Sequence, residues 1–448
     1  MSIPNPGPKL GIAPSVLGGD HSLPAWISIA SVALMAVGLH GAGSLFFGAA
    51  LVAGIFGLLA TSQHSWPGKF SARLALIIFL AVIFGTFLGN DRLDWVQGFQ
   101  RYRIVVELLI GIALLQRVVS RLGLHAAIKT SIAGVHPHWR SSVIGFLSMI
   151  LAFPLSLATV PLVTTVMASI VTPPIAAARI SMRAVTITML LVPTTLASAA
   201  VSASLTGLSG AMVALAGAPL FLVGFATLCL QRIEISGAVT EAPNWRRLGV
   251  FGGAFWLIFG IASVLGCPIP EAIAVAGICL YFGETFFTRR PRQACLAEFR
   301  EAVSGCSAEV LLLLACGVLA TYLASMGASP VLNQTVATLW GGPLLAAAWV
   351  AFVLPAISVL GIHPIILFSF IFPLVDNSVF GGPHLQYLAW VTMFIAAQLV
   401  SPVSLSAILA ASSLQTSPSN TSYRLHGRYV LGMCLVTYLY LIGIRYLF

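Results

Sequence analysis

Two proline-interrupted apolar segments carry residues whose type and spacing could bind a polar ligand. The first covers residues 153–161, and the second covers residues 354–364, about 200 positions later. In an apolar helix such a break frees backbone N–H and C=O groups, which then need an ion, a ligand or water. The alternative is a proline kink whose free groups are satisfied by a neighbouring hydroxyl. The side chains placed to bind a ligand at the breaks are Ser156, Thr159, Ser358 and His363.

A cluster of small hydroxyl residues follows each interrupted segment, next to a further proline. Backbone carbonyls and hydroxyls suit a cation, whereas the N-termini of half-helices suit an anion. Close helix packing is the alternative use of such residues. The members nearest the prolines, which we predict to bind substrate together with the break residues, are Thr194, Thr195, Ser198, Ser401 and Ser404.

Three carboxylates are candidates for ion coupling: Glu107, Glu309 and Asp376. Glu107 and Glu309 hold equivalent positions about 200 residues apart, where they could relay protons or orient a helix through a basic partner. The alternative is a helix N-terminus that carries a favourable negative charge. Asp376 closes the second interrupted segment, where it lines a pathway or caps a loop. No nucleophile elbow, zinc-protease motif or phosphate loop is present, so we predict neither an enzyme nor a cofactor, with Na⁺ or H⁺ as the coupling ion.

The composition places these residues in a membrane. Hydrophobic residues make up 58% of the 448 and charged residues 8%, whereas soluble domains carry about 25% charged residues. Apolar runs recur that are long enough to cross a hydrocarbon core of about 30 Å. The net charge of +10 comes from basic residues in short loops and at helix ends, which indicates contact with membrane lipids and not with nucleic acid. The fold class predicted is therefore an all-α polytopic membrane protein.

The order of the apolar runs predicts two copies of one unit. We assign residues 1–23 to a tail, 24–210 to the first unit (scaffold 24–90, hairpin and broken helix 104–207), 211–414 to the second (scaffold 211–288, hairpin and broken helix 306–414), and 415–448 to a final loop and helix. Short amphipathic pieces at 91–101 and 294–304 would lie at the interface. Each unit has an odd number of spans, so the copies would be inserted in opposite orientations, as in secondary transporters that bind substrate near the midplane. The total would be about eleven transmembrane helices and two re-entrant hairpins.

The first hairpin is predicted from two arginines, Arg117 and Arg121. A spanning helix would place them near mid-bilayer at a cost of several kcal/mol. The loops that carry the most basic residues would lie on the cytoplasmic side if the N-terminus is inside. The positive-inside rule therefore favours that orientation.

Residues 108–124, followed by the break with Ser156 and Thr159, resemble the hairpin and ligand-loop half-repeat of the ion transporter superfamily. That group includes divalent anion/sodium symporters and arsenite permeases. The resemblance implies two inverted repeats, a homodimer, and elevator-type alternating access for small anions, often with sodium. The symporters carry Ser-Asn-Thr in each ligand loop, and both asparagines are absent here, where residues 156–159 and 358–361 occupy the loops.

These observations predict a secondary active transporter of a small, anionic organic solute in a bacterial inner membrane, coupled to sodium or protons. The alternative is a flippase or membrane enzyme that acts on a lipid-linked substrate. It would need a basic headgroup pocket, for which the available cluster is Arg101, Arg103, Arg117, Arg121 and Arg140.

Overall fold

The structure is a computed structural model, and it describes residues 70–89, 94–192, 195–205, 207–231, 233–235, 245–326, 334–335, 338, 342–372, 375 and 377–444. The tail predicted at 1–23 and residues 24–69 of the scaffold predicted at 24–90 lie outside the described residues. Two candidate site residues, Thr194 and Asp376, lie outside them as well.

The described part of the first unit is helical, with one break inside a membrane-length segment. Its helices are α1 (Phe70–Gly89), α2 (Trp95–Gln100), α3 (Arg103–Arg121), α4 (Leu124–Ala133), α5 (Arg140–Leu155), α6 (Thr159–Ala168), α7 (Ile175–Ile187) and α8 (Leu196–Ser204). Short 3-10 turns cover Pro137–Trp139, Ser156–Ala158 and Thr188–Leu190.

The described part of the second unit is helical as well. It contains α9 (Gly210–Cys229), α10 (Trp245–Val264), α11 (Ile269–Phe287), α12 (Arg292–Ser325), α13 (Pro343–Ala348), α14 (Leu354–Val359), α15 (Pro364–Ile371), α16 (Asn377–Phe380), α17 (Pro383–Val400) and α18 (Leu405–Leu414). The final segment, predicted at 415–448, contains α19 (Tyr423–Ile444). A π-helical turn, Trp349–Val353, joins α13 to α14. Two-residue strands β1 (Val171–Thr172) and β2 (Glu234–Ile235) pair antiparallel and tie the α6–α7 turn to the loop after α9.

Six stretches of the described residues are long and apolar enough to cross a membrane: Pro137–Ala168, Gly210–Cys229, Ile269–Phe287, Cys306–Ser325, Pro383–Leu414 and Tyr423–Ile444. Three shorter apolar helices cover Arg73–Phe87, Gly249–Val264 and Leu344–Val359. The molecule is thus an all-α multi-pass membrane protein. The number of about eleven spans stays a prediction, because part of the chain lies outside the described residues.

The two hairpin segments differ in the structure. In the first, α3 and α4 are separated by a turn at Gly123, whose φ of 69° is a conformation that glycine adopts at low cost. In the second, the amphipathic piece predicted at 294–304 and the first hairpin arm form one uninterrupted helix, α12. Proline is absent between Arg292 and Ser325, and glycines such as Gly317 are tolerated in a long packed helix. The segment Arg292–Ser325 therefore contains no hairpin turn.

Helices of the first unit pack against helices of the second in a reciprocal arrangement. The last scaffold helix of the second unit, α11, packs along α3 of the first, while α12 of the second unit packs along α1 and α2 of the first. Glycines permit a close approach between α3 and α11: a Cβ added at Gly111 would lie 2.5 Å from Cα of Ala274, and one added at Gly277 would lie 2.5 Å from the carbonyl oxygen of Gly111. The two units are therefore interlocked.

Two glycines on α11 allow a matched test of this crossing. We expect Gly277→Ala to lower the unfolding midpoint in detergent, because overpacking a tight contact costs about 1–3 kcal/mol. Gly283→Ala is the control, since a Cβ there would meet nothing within 4 Å and helix propensity favours alanine by about 1 kcal/mol. Equal midpoints for the two variants would contradict the close crossing.

Candidate functional site

The first break is a strained turn between two helices. Helix α5 ends at Leu155, Ser156 has φ 48° and ψ −132°, and α6 begins at Thr159 after a single 3-10 turn. A non-glycine residue held in such a sparsely populated region costs of order 1–3 kcal/mol, and residues of this kind cluster at ligand sites. Pro154 in the last turn of α5 removes a backbone donor and favours the break there.

The second break is spread over more residues. The π-helical turn precedes α14, the chain leaves this helix at Val359, and Gly361 has a φ of 96°. His363 then caps α15, with its Nδ1 accepting a hydrogen bond from the Ile365 N–H at 3.3 Å. Ser358 is fully buried, and its hydroxyl donates to the Leu354 carbonyl at 3.2 Å. Both of these predicted ligands therefore also have a local structural role.

A cavity of about 500 Å³ lies beside the first break. Its walls come from α3, from the 3-10 turn that begins at Ser156, from α12, and from α18 with the residues that precede it. The lining residues are Leu109, Ile112, Ala113, Gln116, Arg117, Ser156, Leu157, Ala158, Glu301, Ala302, Cys306, Glu309, Val403, Leu405, Ile408 and Leu409. Both units thus contribute to one concave site.

A smaller cavity of about 40 Å³ adjoins the larger one and shares Leu157, Glu309 and Leu405 with it. It is also lined by His363 and Gln398. The structure therefore brings three predicted residues from distant parts of the sequence, Ser156, Glu309 and His363, around two neighbouring cavities.

Three of the predicted hydroxyl residues serve as helix caps. Thr195 and Ser198 form a capping box at the start of α8, in which each side chain accepts from the backbone N–H of the other at 3.3 Å. Ser404 caps α18 by accepting from the Ala407 N–H at 3.3 Å, and it donates to the Gln398 carbonyl at 2.7 Å. These hydrogen bonds satisfy groups at helix ends that would otherwise be unpaired.

Three other predicted hydroxyls are buried and have no hydrogen-bond partner among the described residues: Ser156, Thr159 and Ser401. Their exposed fractions are 2%, 0% and 0%. A buried hydroxyl without a partner costs about 1–3 kcal/mol, which favours a ligand, an ion or water as its partner. Ser156 also lines the larger cavity.

The two equivalent glutamates have different surroundings. The Glu107 carboxylate lies 3.7 Å from Nε of Arg103, and that arginine also donates to Glu271 at 2.8 Å. Glu309 makes no ion pair with any described residue, its Oε2 is buried without a hydrogen-bond partner there, and it lines both cavities. Glu309 is therefore the stronger candidate for a group that exchanges a proton or an ion.

The arginines of α3 are paired with carboxylates of the second unit. Arg117 lies 3.1 Å from Glu301, and Arg121 contacts both Glu284 and Glu298. Arg121 also lies 5.4 Å over the ring of Tyr281. These pairs explain how an apolar helix tolerates several charges. Together with the Arg103–Glu271 pair, they neutralise three of the five arginines in the cluster that a lipid-linked substrate would need.

Two uncharged polar residues of the site were not predicted from the sequence: Gln116 on α3 and Gln398 on α17. Each is a glutamine inside an apolar helix, and polar residues in such positions mark candidate pathways. The sequence itself therefore contains this signal, in addition to the prolines and hydroxyls from which the site was predicted.

Ser401 and Ser404 allow a test that separates caps from ligand-binding hydroxyls, because they lie in one loop. Ser404→Ala should lower the unfolding midpoint, since loss of an N-cap costs about 0.5–2 kcal/mol. Ser401→Ala should leave the midpoint of the ligand-free protein unchanged or raise it, because its hydroxyl makes no hydrogen bond with the described residues. Thermal unfolding in detergent measures both. Equal destabilisation would mean that Ser401 is part of the structural network.

Comparison with known proteins identifies the fold and not the family. No protein-family model matches the sequence, and no curated protein matches it. Among solved structures, the chain is similar to the YdaH transporter of Alcanivorax borkumensis, with a TM-score of 0.55 and 14% identity over 94% of this chain and 97% of that one. At this identity the likeness shows the fold alone. The chain thus has the fold of an all-α membrane transporter.

Proposed function

We propose that this protein is a secondary active transporter that moves a small organic solute through the larger cavity by alternating access, coupled to protons at Glu309. The observation that carries the proposal is the convergence of the unpaired Glu309 carboxylate and the unpaired Ser156 hydroxyl on one cavity between the two units. The transporter fold of the chain supports it.

The size and lining of the cavity favour an amphipathic solute. Its volume of about 500 Å³ lies within the range of small-molecule sites, roughly 300–1,000 Å³. Most of its walls are aliphatic side chains, and the polar groups are few. Such a site holds an apolar body and orients it through a small number of polar contacts.

The charges in the described lining favour a cationic or neutral solute over the anion that the sequence indicated. Arg117 pairs with Glu301 at 3.1 Å, so these two charges compensate each other. Glu309 then leaves the lining either negative or, when protonated, neutral. Because Oε2 of Glu309 is buried and has no hydrogen-bond partner among the described residues, a proton or a cationic solute would satisfy it, and competition between the two would couple their movements.

The wider arrangement forms part of the same proposal. Helix α3 of the first unit packs along α11 of the second, and α1 of the first packs along α12 of the second. This reciprocal packing supports two inverted repeats, which would operate as an elevator in a homodimer of a bacterial inner membrane. Sodium coupling is the competing possibility, with the unpaired hydroxyls of Ser156, Thr159 and Ser401 as candidate ligands.

The solute class can be tested in liposomes that contain the purified protein. We expect a pH gradient to drive the movement of labelled apolar amines at least about tenfold faster than that of carboxylates of equal size. A tenfold ratio corresponds to a preference of about 1.4 kcal/mol. Protein-free liposomes, which amines also cross by diffusion, provide the baseline. A flux of carboxylates that exceeds that of amines, or a flux that needs a sodium gradient, would contradict the proposal.

A pair of variants tests the coupling residue. Glu309→Gln keeps the shape of the side chain but cannot release a proton, so transport should lose its dependence on the pH gradient. Glu107→Gln is the control, because Glu107 lies beside Arg103, which also bonds to Glu271. Flux measured against internal pH at fixed solute concentration distinguishes them. Unchanged pH dependence in Glu309→Gln would assign the coupling elsewhere.

A further inference from the structure

A second cluster of charged groups lies away from the cavity, where α7 meets the first turns of α19. Arg183 of α7 donates from Nε to Nδ1 of His426 at 3.2 Å and from its guanidinium to the Leu425 carbonyl at 3.4 Å. Its guanidinium also lies 4.2 Å over the ring of Tyr429. Arg179, one turn earlier on α7, interacts electrostatically with both Arg183 and His426.

Two donors of this cluster have no acceptor among the described residues. His426 is fully buried, and because its Nδ1 accepts a hydrogen bond, its proton lies on Nε2. That Nε2 has no hydrogen-bond partner among the described residues, and the buried Nε of Arg179 has none there either. Since both groups only donate, the missing partner is an acceptor.

The cluster also lacks a counter-charge in the part of the chain that the structure describes. Arg179 and Arg183 are half-buried and four residues apart, so two like charges face each other across one helical turn. No described carboxylate lies within ion-pair distance of either. The arginines of α3 show the contrast, because Arg103, Arg117 and Arg121 each pair with a carboxylate of the second unit. Partly buried like charges that also carry unpaired donors are stabilised by an anion.

We propose that Arg179, Arg183 and His426 form a binding site for a phosphate group. A phosphate presents several acceptor oxygens, which matches a set of donors that lie on two helices, and guanidinium groups bind it through charge-assisted hydrogen bonds. A carboxylate offers only two oxygens to the same set.

Two sources carry this group, a phospholipid headgroup and free phosphate. The exposed arginines Arg424 and Arg428 extend the positive charge along α19 to its surface. Further along the same helix, Leu431, Leu435 and Leu439 are 66%, 52% and 57% exposed at a spacing of four residues, as expected for a lipid-facing stripe. The site would thus hold the headgroup of a lipid whose chains lie on α19, or a free phosphate at the same donors.

The test measures binding of inorganic phosphate and of short-chain phosphatidylglycerol to the full chain in neutral detergent, at fixed ionic strength. Arg179→Gln is the informative variant, because its Nε makes no hydrogen bond within the described structure and its removal should leave the fold intact. Loss of one charge-assisted hydrogen bond should raise the apparent Kd at least about tenfold. Arg292→Gln, an exposed arginine at the start of α12, is the matched control and should change the Kd little.

Binding of both probes with the expected loss in Arg179→Gln supports a site open to free phosphate, and binding of phosphatidylglycerol alone with that loss supports a headgroup site. An equal Kd for Arg179→Gln and the unchanged protein, or binding of neither probe, would overturn the proposal. The Glu309→Gln variant should bind either probe like the unchanged protein, so this test is independent of the transport mechanism.

Discussion

The pairing of arginines on α3 with carboxylates from α11 and α12 is the constraint on which the rest of the structure depends. A helix that carries Arg103, Arg117 and Arg121 among apolar residues is stable in a membrane only when each charge is compensated. All of the carboxylates that pair with them across helices come from the second unit. Together with the glycine contact between α3 and α11, this pairing sets the position of one wall of the cavity relative to another.

The same pairing makes the two units unequal. Arg103 lies beside Glu107, whereas no described cation pairs with Glu309. The hydroxyls divide by role within each unit: Thr195 and Ser404 cap helices, while the hydroxyls of Ser156 and Ser401 have no hydrogen-bond partner among the described residues. A few residues are thus released from structural contacts and become available to a ligand.

The sequence predicted local features well and long-range pairing poorly. The apolar runs of the segment 211–288 form α9, α10 and α11, and the prolines marked both breaks. The capping roles of Thr195 and Ser198 could be predicted from the sequence, because Thr-x-x-Ser before an apolar run resembles a capping box. The difference between the surroundings of Glu107 and Glu309 could not be predicted, because it depends on Arg103, which is held in turn by Glu271, 168 residues away.

The interlocked units also constrain how the chain reaches the folded state. Arg121 and Glu284 are separated by 163 positions, and domains synthesised from the N-terminus emerge in chain order. The helix that carries the arginines is therefore made before the carboxylates that neutralise it exist. Until α11 and α12 follow, the arginines of α3 lack the carboxylates that compensate them in the structure, so neither half can complete its assembly without the other.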